Sequence, residues 1–272
     1  MKENKYIIKP NIKDISLTEQ VKGFDHQGNP ISTKVVQERP LTVFLNKQEI
    51  VTLMTINDYP KYLALGYLIN QNMLFYKDKI KKIEYDREIE TIVVRTERKT
   101  NYEKVLKKKI TTSGCAQGTI FGDIYEDLQN TKINSRNTIK KDWVYELSKK
   151  ITLTPSLYLE AGAIHGCVLC IRNSPLIYME DVGRHNAVDK IAGYMFKNNI
   201  NPKDKIFYTT GRLTSEMIIK TVKMNIPILI SRSGFTSWGV ELAIKANLTL
   251  IGRAKGKRFT VLSGEQRIKK DL

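Results

Sequence analysis

The chain has 272 residues, of which 41% are hydrophobic, and this is enough to bury a substantial core in one large domain or in a domain with a smaller companion. No apolar run approaches the length of a transmembrane helix, and the first residues lack the apolar segment of a secretory signal, so we expect a cytoplasmic protein without a membrane partner. The net charge of +17 favours binding of phosphates, nucleic acid or acidic partners, but the lysine runs lack interleaved aromatic residues and indicate a solvated basic surface rather than a single-strand binding track.

The first half of the chain predicts a polar extension over residues 1–37 and a small α+β subdomain over residues 38–138. Apolar runs at 41–45 and 50–54 flank a short polar stretch and predict a hairpin. Asp58 is placed to cap a helix whose apolar face includes Leu63 and Leu68, and residues 80–85 and 89–96 predict two further strands. The stretch 111–118, TTSGCAQG, has no apolar periodicity and contains Cys115.

The second half, residues 139–272, predicts an α/β domain with a largely parallel sheet, because strand and helix patterns alternate along it. A helix at 140–151 leads into it. Strands are predicted at 164–171, 176–180, 205–209, 226–231, 248–252 and 259–262, and helices at 187–197, 215–224 and 237–246. In such sheets the carboxyl ends of the strands and the loops that follow them hold ligands.

The segment EDVGRHNAVDK, residues 180–190, places many polar groups where a strand becomes a helix. A helix N-terminus offers unpaired N–H groups, and Arg184 and His185 add side-chain donors, so the predicted guest is an anion or a polar heterocycle. In the alternative interpretation, Glu180, Asp181 and Arg184 form a capping and salt-bridge network that only fixes the turn.

Two further junctions repeat this pattern of glycine, arginine and hydroxyl groups. The segment TTGRLTSE, residues 209–216, contains Arg212 and offers Thr214 or Ser215 as a helix cap, and SRSGFTS, residues 231–237, contains Arg232. Three polar junctions on one sheet predict a single crevice that binds phosphate or pyrophosphate.

The chain has three cysteines, which argues against a disulfide framework. Cys115 lies among small residues that leave a thiol accessible, so it is a candidate nucleophile, with an incidental exposed cysteine as the alternative. Cys167 and Cys170 in HGCVLC are three apart on a predicted strand and point to opposite faces, which favours core packing over a metal site or a disulfide. His165, where the chain enters that strand, fits a structural or a site role equally.

Taken together, TTSGC, GAIHG, EDVGRHNAVDK, TTGRLTSEM, PILISRSGFTS and RFTVLSGEQRI resemble the formate dehydrogenase accessory sulfurtransferase family from about residue 38 onward. The resemblance implies an α/β fold with a cytidine deaminase-like three-layer α/β/α domain, in a chain that forms a homodimer. It also implies a sulfur carrier that receives sulfane sulfur from a cysteine desulfurase as a persulfide. The sulfur then passes to the molybdenum bis(molybdopterin guanine dinucleotide) cofactor, a bound substrate, before that cofactor enters formate dehydrogenase.

Carried over by position, the resemblance makes Cys115 the persulfide-bearing residue. The expected cofactor-binding residues are His185, Arg184, Arg212 and Arg232 at the three junctions, with the C-terminal segment Phe259, Thr260, Val261, Leu262, Ser263 and Gly264.

This chain departs from the family pattern in two places. Family loops commonly carry two cysteines where this one has Cys115 alone, and a tyrosine and a His-Pro pair are missing near residues 262–265. Deaminase relatives hold zinc with a His or Cys and a Cys-x-x-Cys pair at the helix starts. This chain has His185 and the segment TGRLTSE in those places, so no metal site is expected. A non-catalytic cofactor-binding chaperone is the second hypothesis, and a nucleic-acid-binding module, supported by charge alone, is the third.

Overall fold

The computed structural model describes residues 6–98 and 131–269, together with the backbone of residues 109–111 and 119–121. The predicted loop that contains Cys115 lies outside the described residues. None of the helices in the described part of the chain is long and apolar enough to cross a bilayer.

In the first half, the described residues include the helix α1 and a four-stranded sheet of order β4-β3-β6-β5. The strands are β1 Thr18–Phe24, β2 Pro30–Val36, β3 Arg39–Leu45, β4 Gln48–Thr55, β5 Ile80–Asp86, β6 Thr91–Thr96, β7 Lys109–Thr111 and β8 Thr119–Phe121, and the helix is α1 Pro60–Asn70. The predicted hairpin is confirmed as β3 and β4, in which Leu41, Val43 and Leu45 alternate into the core. The helix and the two later strands were also predicted.

A second hairpin, β1 with β2, occupies much of the predicted polar extension. Both strands are largely exposed, so neither carries the apolar alternation that marks a half-buried strand. Leu17 just before it is buried against Ile56 and Leu157, so this segment packs on both halves of the molecule.

The second half forms a six-stranded sheet of order β11-β10-β12-β13-β14-β15. Its strands are β10 His165–Ile171, β11 Ser174–Asp181, β12 Lys205–Thr209, β13 Ile228–Ser231, β14 Thr249–Lys255 and β15 Arg258–Ser263, and β9 Ile139–Lys140 pairs separately with β16 Ile268–Lys269. The helices are α2 Lys141–Leu153, α3 Leu157–Ala161, α4 Arg184–Lys197, α5 Ser215–Lys223 and α6 Ser237–Lys245.

The prediction of a largely parallel sheet is wrong. Only β12 with β13 and β13 with β14 are parallel, whereas β11 with β10, β10 with β12 and β14 with β15 are antiparallel. Tight turns explain two of these pairs, since Arg172 and Gly256 adopt positive φ values of 52° and 56° in connections too short for a crossover helix.

Helices cover both faces of the six-stranded sheet, giving three layers. Helix α2 packs on one face through Val144, Leu147 and Ile151, and α4, α5 and α6 pack on the other. Cys170 belongs to the first of these cores and Cys167 to the second, and both are fully buried. The prediction that these two cysteines fill the core on opposite faces is confirmed.

Helix α1 joins the first half to the second by packing against α4. A Cβ atom built at Gly66 would lie 1.7 Å from the carbonyl oxygen of Asp189, and one built at Gly193 would lie 1.9 Å from the carbonyl oxygen of Tyr62. The two backbones are therefore in direct contact, which only glycine permits at these positions.

Candidate functional site

The three polar junctions meet at one edge of the six-stranded sheet, as the sequence predicted. The parallel strands β12 and β13 end there at Thr209 and Ser231. Antiparallel pairing brings the start of β10 and the end of β11 to the same edge, since His165 lies opposite Asp181 and Cys167 opposite Thr209. Helices α4, α5 and α6 all begin there, with their N–H groups directed at the same edge.

Most polar groups of residues 180–190 are used within the fold. The Glu180 carboxylate accepts hydrogen bonds from the backbone N–H groups of Leu157 (2.8 Å) and Tyr158 (3.2 Å), and so caps α3. Asp181 accepts from Thr55 Oγ1, from the Gly183 N–H (3.2 Å) and from Asn186 Nδ2 (3.0 Å). Glu180 and Asp181 therefore cap and fix neighbouring segments, as the alternative interpretation of residues 180–190 predicted.

Lys190 is completely buried and forms ion pairs with two carboxylates, Asp181 (2.6 Å) and Asp58. Burial opposes the charge of Lys190, but Asp181 and Asp58 outweigh that effect and raise the pKa of the ammonium group. The prediction that Asp58 caps α1 is wrong, because its carboxylate faces Lys190 and the cap position is taken by Tyr59, in a left-handed conformation. This ion-pair network ties the first half to the start of α4.

His185, at the start of α4, is held neutral. Its Nε2 lies 3.1 Å from Glu216 Oε2 on α5, yet neither ring nitrogen has a hydrogen-bond partner among the described groups. Burial, together with the nearby cations Lys220 and Arg184, lowers the pKa of the ring to about 2, so the Glu216 contact is that of a neutral imidazole rather than an ion pair. Because Nε2 faces the Glu216 carboxylate, Nδ1 is the ring nitrogen that remains available to a polar ligand.

Arg184 and Arg212 concentrate positive charge beside His165. Gly211 packs against Arg184, because a Cβ at Gly211 would lie 3.2 Å from the Cβ and Cδ of that arginine. Burial lowers the pKa of the His165 ring, and Arg184 and Arg212 lower it further. The Arg212 side chain is exposed. The edge therefore contains the buried guanidinium of Arg184, the exposed guanidinium of Arg212 and an uncharged imidazole, and this charge suits an anion.

Arg232 stands on the side of this edge that faces α2. Its guanidinium lies 5.5 Å from the centre of the Tyr158 ring, and the Ser231 hydroxyl donates a 2.6 Å hydrogen bond to the Gly211 carbonyl, which joins the second and third junctions. A cavity of about 580 Å³ opens beside Arg232 and is also lined by Tyr145, Lys149 and the β14–β15 turn. Tyr145 and Tyr158 were not identified from the sequence, since neither belongs to a polar junction.

The predicted cofactor segment 259–264 reaches this edge only with its first residues. Thr260 pairs with Gly252 near the end of β14, and Phe259 packs on Tyr145 with ring centres 5.6 Å apart. Ser263 pairs with Leu250 at the start of β14, so Ser263 and Gly264 lie at the opposite edge, roughly 13–16 Å from Phe259 at about 3.3 Å per residue. The structure does not bring these two residues near Arg184, His185 or Arg212.

The predicted nucleophile, Cys115, lies outside the residues that the structure describes. The described cysteines, Cys167 and Cys170, are unsuited to nucleophilic work, since burial raises the pKa of both thiols, that of Cys167 to about 12. Among the residues that the structure describes, no group of three or more His, Cys, Asp or Glu side chains is placed to hold a metal ion.

Comparison with known proteins identifies the family. The sequence model of the FdhD/NarQ family matches residues 36–269. Similar proteins include "Sulfur carrier protein FdhD" of Bacillus pumilus, 31% identical over 86% of this chain and 90% of that protein, and its namesake in Bacillus subtilis, 29% identical over 88% and 92%. A crystal structure from Desulfotalea psychrophila, described provisionally as a formate dehydrogenase accessory protein, has a TM-score of 0.76 at 24% identity and covers 93% of this chain and 98% of its own. At that identity the structural match shows the fold alone.

Proposed function

Because the chain belongs to the FdhD/NarQ family, we propose that it is a sulfur carrier that accepts sulfane sulfur as a persulfide on Cys115 and passes it to the molybdenum bis(molybdopterin guanine dinucleotide) cofactor for formate dehydrogenase. The observation that carries the proposal is the family match over residues 36–269, joined by relatives whose own name is sulfur carrier protein. The same resemblance implies a cytidine deaminase-like fold, a homodimer in the cytoplasm, and a cysteine desulfurase and formate dehydrogenase as partners.

The first step requires only an accessible thiolate on this chain. Cys115 attacks the outer sulfur of the persulfide on the desulfurase, the donor S–S bond breaks, and the desulfurase cysteine leaves as a thiolate. No oxidant is consumed. Cys115 lies in the sequence between the paired strands β7 and β8, and it is the cysteine that remains for this role once Cys167 and Cys170 are placed in the core.

The edge that holds the three junctions has the chemistry to bind the cofactor's pyrophosphates and guanines. Arg184, Arg212 and Arg232 supply positive charge around three helix N-termini. Nδ1 of His185 and the Thr214 hydroxyl are buried and lack hydrogen-bond partners among the described groups, and a polar ligand would satisfy them. These features support the placement of the cofactor at this edge. Residues 259–264 would extend the binding surface from this edge across the sheet.

A second candidate function is a chaperone that binds and delivers the cofactor without sulfur chemistry. The observation that favours it is the lone cysteine of residues 111–118. The two functions differ in one measurable product, because a chaperone gains no sulfur on Cys115.

The test incubates the protein with a cysteine desulfurase and L-cysteine and maps added sulfur by mass spectrometry. We expect one additional sulfur atom on Cys115, and none on Cys167 or Cys170, whose raised pKa values and burial keep them unreactive. Cys115→Ala abolishes labelling and the rescue of formate dehydrogenase activity, whereas the matched control Cys170→Ala retains both if it folds. Full rescue by Cys115→Ala would exclude the persulfide step.

A further inference from the structure

A groove on the first half of the molecule lies outside the edge that holds the three junctions. It has a volume of about 680 Å³ and runs between the start of α1, strand β5 and the end of α4. Its apolar floor contains Leu65 from α1 and Ile80 and Ile83 from β5, and the two isoleucines are packed against the main core. We call it the tyrosine–lysine groove, after Tyr59, Tyr62 and Tyr85 on its walls and the four lysines on its rim.

The tyrosine walls are held in place by the backbone. Tyr59 has a φ of 50°, which is a strained conformation for a bulky residue. That conformation stacks its ring on Tyr62, with ring centres 5.9 Å apart, and Tyr62 in turn packs edge-on against Tyr194 at 5.3 Å. The fold thus keeps an aromatic surface that is partly exposed to solvent.

The rim of the groove is positively charged. Lys61, Lys81, Lys82 and Lys197 come from three different elements, and among the described residues no carboxylate side chain lines the groove. Lys82 pairs with Glu84 at 2.8 Å, whereas Lys61, Lys81 and Lys197 form no ion pair with any described residue. Cations spread along an apolar groove are complementary to an acidic chain segment that carries an apolar side chain.

The residues that line the groove do not suit a phosphate group or an added β-strand as the ligand. Pro60 occupies the first turn of α1 and removes one of the N–H groups that a phosphate would use, and no arginine lines the groove. Strand β5 is an edge strand, but the register with β6 shifts between Ile80 and Lys82, and such irregularities and edge lysines discourage strand addition. Edge protection accounts for Lys81 and Lys82, but not for the tyrosines or for Lys61 and Lys197.

We propose that the tyrosine–lysine groove is a docking surface for an acidic segment of a partner protein, which inserts an aromatic or aliphatic side chain between Tyr62 and Ile83. The lysine rim steers and holds the carboxylates of that segment. The proposal is independent of the sulfur-transfer function, because the groove shares no residue with the edge that holds the three junctions.

The test uses a fluorescein-labelled peptide, Asp-Glu-Asp-Phe-Glu-Asp-Glu, and fluorescence anisotropy with the full-length protein. Lys61→Glu/Lys197→Glu weakens binding by about tenfold, because two favourable ion pairs become repulsive. The control Lys132→Glu/Lys245→Glu changes the net charge equally at exposed positions outside the groove and alters affinity by less than about twofold. Equal losses in the two variants, or no binding at low salt, would overturn the proposal.

Four further measurements decide what occupies the groove. A peptide with Ala in place of Phe binds more weakly, because it lacks the side chain that inserts between Tyr62 and Ile83. A photoreactive benzoyl-phenylalanine at the same position crosslinks to residues 59–65 or 80–85. Crosslinks confined to other segments contradict the placement. Displacement of the peptide by GDP would identify a nucleotide site instead. Loss of self-association in Lys61→Glu/Lys197→Glu, measured by sedimentation velocity, would identify a second copy of this chain as the occupant.

Discussion

The contact between α1 and α4 provides the sharpest stability test. In Gly66→Ala the new methyl group would lie 1.7 Å from the carbonyl oxygen of Asp189 and 2.8 Å from the backbone nitrogen of Gly193. Both are backbone atoms that cannot rotate away. The helices must therefore separate by roughly 1.7 Å or more to reach ordinary contact, which also strains the 2.6 Å hydrogen bond from Asn70 Nδ2 to Asp189 Oδ1.

Two effects of opposite sign set the magnitude. Overpacking against fixed atoms costs about 3 kcal/mol, at the upper end of the usual range. Alanine is a better helix former than glycine and returns about 1 kcal/mol. We therefore expect Gly66→Ala to lower the free energy of unfolding by about 2 kcal/mol or more.

The assay is urea unfolding followed by circular dichroism. Gly23→Ala is the matched control, because no atom lies within 4 Å of the added Cβ, and it changes stability by less than about 0.5 kcal/mol. Gly193→Ala opens the same contact, so the double variant with Gly66→Ala loses less than the sum of the single losses. A Gly66→Ala protein that equals or exceeds the parent in stability would refute the close approach of the helices.

Three other variants test the buried charges. Lys190→Met leaves Asp58 and Asp181 buried without their cation and lowers the free energy of unfolding by about 3–5 kcal/mol, and a loss below about 1 kcal/mol in urea unfolding would contradict the network. Burial raises the pKa of Glu180 to about 7, so the folded state favours the protonated form of this carboxyl group. The contribution of that protonation to the free energy of unfolding is fully present below about pH 4.5 and is lost as the pH rises to 7. Relative to Glu180→Gln, the parent therefore loses about 3 kcal/mol over that interval, and parallel stability curves would show that this carboxyl is not perturbed. The pKa of His185 is lowered to about 2 in the folded state, so below about pH 6.5 only the unfolded chain takes up a proton on this ring. The free energy of unfolding of the parent therefore falls by about 1.4 kcal/mol for each pH unit below that value. His185→Gln removes this slope between pH 6 and 4.5, and an unchanged slope would argue against a buried neutral ring.

Local patterns predicted most helices and strands because periodicity is a local property. The strand predicted at residues 205–209 matches β12, and the helices after the three junctions begin within a few residues of their predicted starts. The burial of Cys167 and Cys170 on opposite faces followed from strand geometry alone.

Long-range partners were not predictable in the same way. Asp58 and Lys190 are 132 residues apart in sequence, and nothing near Asp58 distinguishes a helix cap from a partner of a buried lysine. The polar groups of residues 180–190 were assigned to a ligand because a core was expected to exclude them, yet Glu180 and Asp181 serve neighbouring backbone and side chains. The antiparallel pairs of the large sheet depend on turns at Arg172 and Gly256, which strand periodicity does not report.

The glycine contact and the Lys190 network together limit how freely the two halves can be separated. A fragment that starts at residue 139 would expose the flank of α4 to water, leave Asp189 without Asn70 and deprive Lys190 of Asp58. Both halves therefore contribute to one cooperative folding unit. A chimera that takes its first half from a relative is expected to fold only when α4 comes from the same relative.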